Sequence, residues 1–142
     1  MLSRGKRTGL VFVTSVQAQA PIAGTATYGA CKVFMDFLAK ALAHEQRKDM
    51  DVLSYQCGLV ATKFIGHDPS RRPTLYQKLF CITPEQAAER CLADLGREFQ
   101  THGHFRHDAY AMFLRFATKL EWFQRQASAK ANSALAKLKK MQ

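Results

Sequence analysis

GLVFVTS, residues 9–15, is the stretch whose reading decides the fold. Leu10, Val11, Phe12 and Val13 follow one another without polar alternation. That is the pattern of a strand covered on both faces, as strands of a parallel sheet are. A small-residue loop follows, VQAQAPIAGTAT, punctuated by Pro21 and Gly24. From about residue 26 to residue 47, Ala30, Val33, Phe34, Phe37, Leu38, Ala41 and Leu42 recur at helical spacing and mark one stripe of a long helix. DVLSYQ, residues 51–56, reads as a second short strand running into Cys57-Gly58. A strand, a helix and a strand in this order make a βαβ unit, so the chain is expected to be α/β with a parallel sheet and a right-handed crossover.

The composition allows such a core. With 142 residues, 47% of them apolar, the chain suits one domain and is not expected to be disordered. No run of 18 apolar residues occurs, so no segment reads as a membrane span. The basic start followed by GLVFV superficially resembles a signal peptide, but the apolar run is too short and no A-x-A-type site follows closely. Cys31, Cys57, Cys81 and Cys91 have no C-x-x-C spacing, which suits free thiols in a reducing compartment. The net charge of +10 is uneven: residues 97–142 carry nine Lys/Arg against three Asp/Glu. A basic C-terminal third points to an anionic partner, a lipid surface before nucleic acid, because no nucleic-acid-binding motif accompanies the charge.

Downstream, residues 63–82 contain Pro69 and Pro73 without clear periodicity and read as a loop with a short helical piece. TPEQAAERCLADLG is a helix with its ends marked: Thr83 as N-cap, Pro84 at the first position, Gln86 completing a capping box and Gly96 beyond the end. QTHGHF suggests a short strand. Residues 107–124 form an aromatic amphipathic stretch with Phe113, Phe116, Leu120 and Phe123 along one face, continued by an Ala/Lys-rich helical tail. Two regions are thus expected, 1–106 and a basic helical extension over 107–142.

Three polar residues stand out. Ser15 closes the first strand, Tyr28 lies thirteen residues on, and Lys32 follows four later on the same helix face. Their end of the helix faces the carboxyl edge of the sheet, where open α/β folds bind ligands. A tyrosine hydroxyl ordinarily ionises near ~10, and a neighbouring ammonium favours the phenolate. The pair therefore suits proton exchange with a carbonyl or alcohol, while a serine hydroxyl holds the same oxygen. Y-x3-K alone is weak; S-x12-Y-x3-K is considerably more specific.

At this spacing the sequence resembles the short-chain dehydrogenase/reductase family, whose catalytic serine, tyrosine and lysine are set the same way. CGLVAT, residues 57–62, resembles the family's P-G-x-V-x-T segment, with Cys57 where proline is usual. The resemblance implies catalytic roles for Ser15, Tyr28 and Lys32, and cofactor contacts from Tyr28, Lys32, Gly58, Val60 and Thr62. SVQAQAP, YGACK, TPEQAAERCLADLG and QTHGHFRH look closest to the steroid dehydrogenase-like branch, which includes 17β-hydroxysteroid dehydrogenases and very-long-chain 3-oxoacyl-CoA reductases. The match covers roughly residues 5–113. It implies the C-terminal half of a Rossmann-type doubly wound parallel sheet, an NADP(H)- or NAD(H)-dependent oxidoreductase, and a lipid-like ketone or alcohol substrate. NADPH is implied over NADH by the branch. A T-G-x3-G-x-G phosphate turn is not found in this sequence. The chain is accordingly expected to be a fragment or truncated form that does not bind the cofactor by itself.

Other expectations follow from the same residues. The 26–47 helix suits a homodimer, as in many family members, and the basic tail suits a membrane surface. An inactive interaction subunit and a basic helical module are the competing functions. The terminal K-K-M-Q resembles a dilysine signal, placing the protein at the cytosol-facing endoplasmic reticulum membrane, or otherwise in the cytoplasm. His102, His104 and His107 lie close together, but no cysteine or carboxylate completes a metal ligand set.

Overall fold

The computed structural model describes residues 7–65 and 72–139. It is an α/β structure whose main sheet has three parallel strands, ordered β1-β2-β5. Strand β1 (Thr8–Val13) pairs with β2 (Met50–Tyr55) in continuous register from Thr8 opposite Met50 to Val13 opposite Tyr55. The helix between them, α1, runs Ala26–Glu45, so the expected βαβ unit is present. β2 also pairs with the two-residue β5 (Gln100–Thr101). A second, two-stranded parallel sheet joins β3 (Leu59–Val60) to β4 (Cys81–Ile82).

Both faces of the main sheet are covered. On one face Leu10, Phe12 and Val52 pack against Ala39 and Ala43 of α1. On the other, Val11, Leu53 and Tyr55 pack against Ala87 and Cys91 of α3 (Pro84–Asp94). The alternation of Leu10, Val11 and Phe12 between these two clusters accounts for the unbroken apolar run of β1. β1 is nevertheless only half-buried, and Val13 is 52% exposed, because β1 is at the sheet edge and β2 is the central strand. The α3 capping box forms as expected, with Thr83 and Gln86 satisfying each other's amides, and Gly96 takes a φ of 85° just past the helix.

Two helices carry apolar residues on their outward faces. The α1 stripe of Val33, Phe34, Phe37 and Leu38 faces out of the chain, and the inward residues are the small Ala39 and Ala43. The small Ala39 and Ala43 let α1 lie close on the sheet, with Leu42 packed partly buried beside them. Residues 105–139 form two helices, α4 (Phe105–Ala117) and α5 (Glu121–Lys139), broken at Thr118–Leu120. α4 belongs to the core, because Tyr110, Ala111 and Leu114 pack with Val16 and Ala20. The stretch from 107 is therefore not a tail throughout; α5 alone has that character. The inward side of α4 is not the Phe113/Phe116 face, since Phe116 is 67% exposed.

In the 63–82 segment, one turn of 3-10 helix (Lys63–Ile65) and α2 (Leu75–Phe80) are present, while residues 66–71 lie outside the described residues. So do Lys140, Met141 and Gln142 of the K-K-M-Q terminus. No helix among the described residues is long and apolar enough to cross a membrane.

Candidate active site

The carboxyl ends of β1 and β2 come out side by side. Beyond the ladder, the Thr14 amide donates to Tyr55 O at 2.9 Å and the Val16 amide to Cys57 O at 3.1 Å. These bonds carry Ser15 to the rim of the sheet in extended conformation, where its Oγ accepts from the Gln17 amide at 3.2 Å and caps a single 3-10 turn, Val16–Ala18. The bond uses the hydroxyl as an acceptor and leaves its O–H available as a donor. α1 begins on the same side. Lys32, one turn after Tyr28, reaches back to donate from Nζ to Val13 O at 2.9 Å, and its Nζ lies 5.6 Å from the centre of the Tyr28 ring.

A cavity of about 510 Å³ opens between these elements, and Ser15, Tyr28, Lys32, Gly58, Val60 and Thr62 all line it. The structure thus gathers all six residues singled out from the sequence. Cys57 lines it too, its thiol pushed up by burial and so kept protonated. Tyr110 and Ile65 form part of the wall and were not singled out. Tyr110 lies on the buried face of α4 with Ala111 and Leu114, off the Phe113/Phe116 stripe that the spacing marks.

The Cys57–Thr62 turn is held from behind by His107, which is fully buried. The Gly58 amide donates to Nδ1 at 3.2 Å, and Nε2 lies 3.1 Å from Leu59 O. Nδ1 also lies 3.2 Å from His102 O. Burial favours the neutral ring, in which Nδ1 accepts from the Gly58 amide and the Nε2 proton faces Leu59 O. Burial lowers the pKa of His107, against smaller opposing effects from its backbone partners. A Cβ at position 58 would lie 2.5 Å from His107 Cδ2, so glycine is required by the ring's closeness. No short motif in the sequence announces this contact between residues far apart in the chain.

Under β2 lies a polar network that was also missed. Asp36 of α1 accepts from Ser54 Oγ at 2.5 Å, Gln56 Nε2 at 2.9 Å and Lys40 Nζ at 2.7 Å. Burial alone would raise its pKa; the hydrogen bonds from Lys40, Ser54 and Gln56 outweigh this and hold it below the usual carboxylate value. Gln56 accepts in turn from Gln19, which also meets His102, and His102 pairs with Asp108 at 2.6 Å. Thr14, next to Ser15, joins the network through Ser54 at 3.2 Å. Among the described residues no three His, Cys, Asp or Glu converge as metal ligands.

Chemically, the cavity gathers a phenol, an ammonium, a serine hydroxyl and residues of the Gly58–Thr62 turn. That set suits the reactive ring end of a nicotinamide beside a carbonyl. No glycine-rich phosphate turn is found among the described residues, so the fit is to that end of the cofactor only.

The sequence model of the short chain dehydrogenase family matches residues 1–72. A curated relative, hydroxysteroid dehydrogenase-like protein 1 of Gallus gallus, is 30% identical over 104 residues; the match takes in 72% of this chain and 30% of the relative's length. No solved structure is a significant match.

Proposed function

This chain belongs to the short chain dehydrogenases, and on that premise we propose that its cavity is the proton-transfer end of an oxidoreductase site for a lipid-like ketone or alcohol. The observation that carries the reading is that Ser15, Tyr28, Lys32, Gly58, Val60 and Thr62 all line one cavity. Short chain dehydrogenases use NAD(P)(H), and a bound nicotinamide supplies a hydride to the carbonyl carbon. The Tyr28 hydroxyl gives its proton to the carbonyl oxygen and recovers it from solvent, while in the oxidative direction the phenolate accepts the alcohol proton. Ser15 donates a hydrogen bond to the same oxygen, and Lys32 is the cation beside the phenolate. Lys32 would also hold the cofactor ribose, and Gly58, Val60 and Thr62 would hold its nicotinamide end.

A steroid or 3-oxoacyl substrate is supported by the apolar contribution of Val16, Leu59, Ile65 and Tyr110 to the cavity, and by the name of the avian relative. NADPH as the hydride source and residence at the endoplasmic reticulum membrane belong to the same reading, and both rest on resemblance to the steroid dehydrogenase-like branch. The test uses the protein made from its own gene. The 142 residues alone are expected not to bind NADPH. Joined to a segment of that gene supplying a T-G-x3-G-x-G phosphate turn, they are expected to support NADPH-dependent reduction of a steroid ketone or a 3-oxoacyl thioester, with Tyr28→Phe slowing it about 10²–10⁴-fold. Turnover of neither substrate, or a Tyr28→Phe rate equal to wild type, overturns the reading.

A second reading, an interaction subunit, is favoured by one observation. Phe34 and Phe37 of α1 are 68% and 76% exposed on a continuous apolar face. The same face suits a homodimer in either reading, and a large exposed apolar face of this kind marks an interaction surface.

A further inference from the structure

We propose that the outward face of α4 docks the protein on an anionic lipid surface. The inward residues of α4, among them His107, Tyr110 and Leu114, are buried. The opposite face should then be polar in an ordinary amphipathic helix. Instead Phe105, Ala109, Met112 and Phe116 occupy it at i, i+4, i+7 and i+11, with Phe105 71%, Met112 72% and Phe116 67% exposed. The apolar surface continues across neighbouring helices. Phe113 stacks on Phe80 of α2 with centroids 6.0 Å apart and meets Phe123 of α5 at 6.5 Å, and Phe123 meets the exposed Trp122 at 6.2 Å. On α2, Leu75 is 74% and Leu79 54% exposed.

The charges around this surface choose the occupant. Arg115 and Lys119 are exposed beside it. The two acids of the region are engaged, Asp108 with His102 at 2.6 Å and Glu121 with Arg125 at 3.2 Å. A chain with net charge +10 repels its own copy and is drawn to a negative bilayer. An exposed helix face with aromatic and Met side chains and flanking cations penetrates the headgroup boundary shallowly. The docking element is thus the core helix α4, not the Ala/Lys-rich α5 to which the charge count pointed. The inference is independent of the catalytic reading.

The test is co-sedimentation of the full chain with vesicles of two parts phosphatidylcholine to one part phosphatidylserine, against phosphatidylcholine alone. The single tryptophan, Trp122, reports insertion by a blue shift of its emission. Binding is expected to the anionic vesicles and to weaken with salt. The triple variant Phe105→Ser, Met112→Ser, Phe116→Ser should lower partitioning by roughly tenfold or more with unchanged far-UV circular dichroism, since the side chains face solvent. Arg115→Gln with Lys119→Gln should lower it by about thirtyfold at low salt. Equal binding to neutral vesicles, or unchanged binding of either variant, overturns the proposal. So does a concentration-dependent dimer that the triple variant breaks in the absence of vesicle binding, which assigns the face to a second copy.

Discussion

Gly58→Ala and His107→Ala test the brace behind the cavity, separately and together. In Gly58→Ala the new methyl meets His107 Cδ2 at 2.5 Å and Cγ at 2.7 Å, well inside van der Waals contact. The ring has nowhere to go, because it is fully buried and tied to the Gly58 amide and Leu59 carbonyl at 3.2 and 3.1 Å. Overpacking of this kind costs about 1–3 kcal/mol. His107→Ala leaves that amide and that carbonyl without their partner, at about 1–3 kcal/mol each where water does not replace it. Each single change is a large share of the ~5–15 kcal/mol that holds a domain together. In the double variant the methyl enters the space the imidazole vacated. Its destabilisation should therefore fall short of the sum by about 1–3 kcal/mol. Urea unfolding followed by far-UV circular dichroism measures all four proteins, provided the m values agree. Additivity within about 0.5 kcal/mol would refute the claim that ring and turn are in direct contact.

Two further outcomes follow from the site's electrostatics. His107 has a folded pKa below its unfolded value of about 6.5, so the unfolded chain binds the proton more readily. Its stabilisation is full above about pH 6.5 and is lost as pH falls through the folded pKa. His104 is shifted the same way, chiefly by burial, and shares the slope. Urea midpoints should drop on acidification, and His107→Gln should flatten the curve; an unchanged slope means the imidazole is not buried neutral. Asp36→Asn should cost about 1–3 kcal/mol, because the amide cannot accept from Ser54, Gln56 and Lys40 as the carboxylate does. A thermal midpoint equal to wild type would count against the network beneath β2.

Much of the candidate site was legible because its parts are local. Tyr28 and Lys32 share a helix face through a spacing of four, and Ser15 reaches the rim because a strand has to end there. Gly58, Val60 and Thr62 follow the next parallel strand, so they arrive at the same edge. The capping box of α3 was equally plain, since it closes between Thr83 and Gln86, three positions apart. His107 was not legible, because its partners are separated from it by 49 and 48 positions. Nor was Asp36, whose partners Ser54 and Gln56 lie 18 and 20 positions away, in and just past β2.

The faces of the helices were the larger gap. α1 and α4 carry apolar residues on two sides, so helical periodicity alone cannot say which side is inward. On α1 the sheet selected Ala39 and Ala43, because close approach needs small side chains, and left Phe34 and Phe37 outside. On α4 the packing against Val16 and Ala20 selected Tyr110, Ala111 and Leu114, and left Phe105, Met112 and Phe116 outside. By itself the sequence determined the strand–helix–strand order, the parallel edge and the set of reactive side chains that meet there, since each is a matter of short-range spacing. Only the tertiary structure decided which helix faces are buried, what braces the Gly58 turn and where the unpartnered apolar surface lies. Those depend on the shape of distant neighbours, which no local pattern encodes.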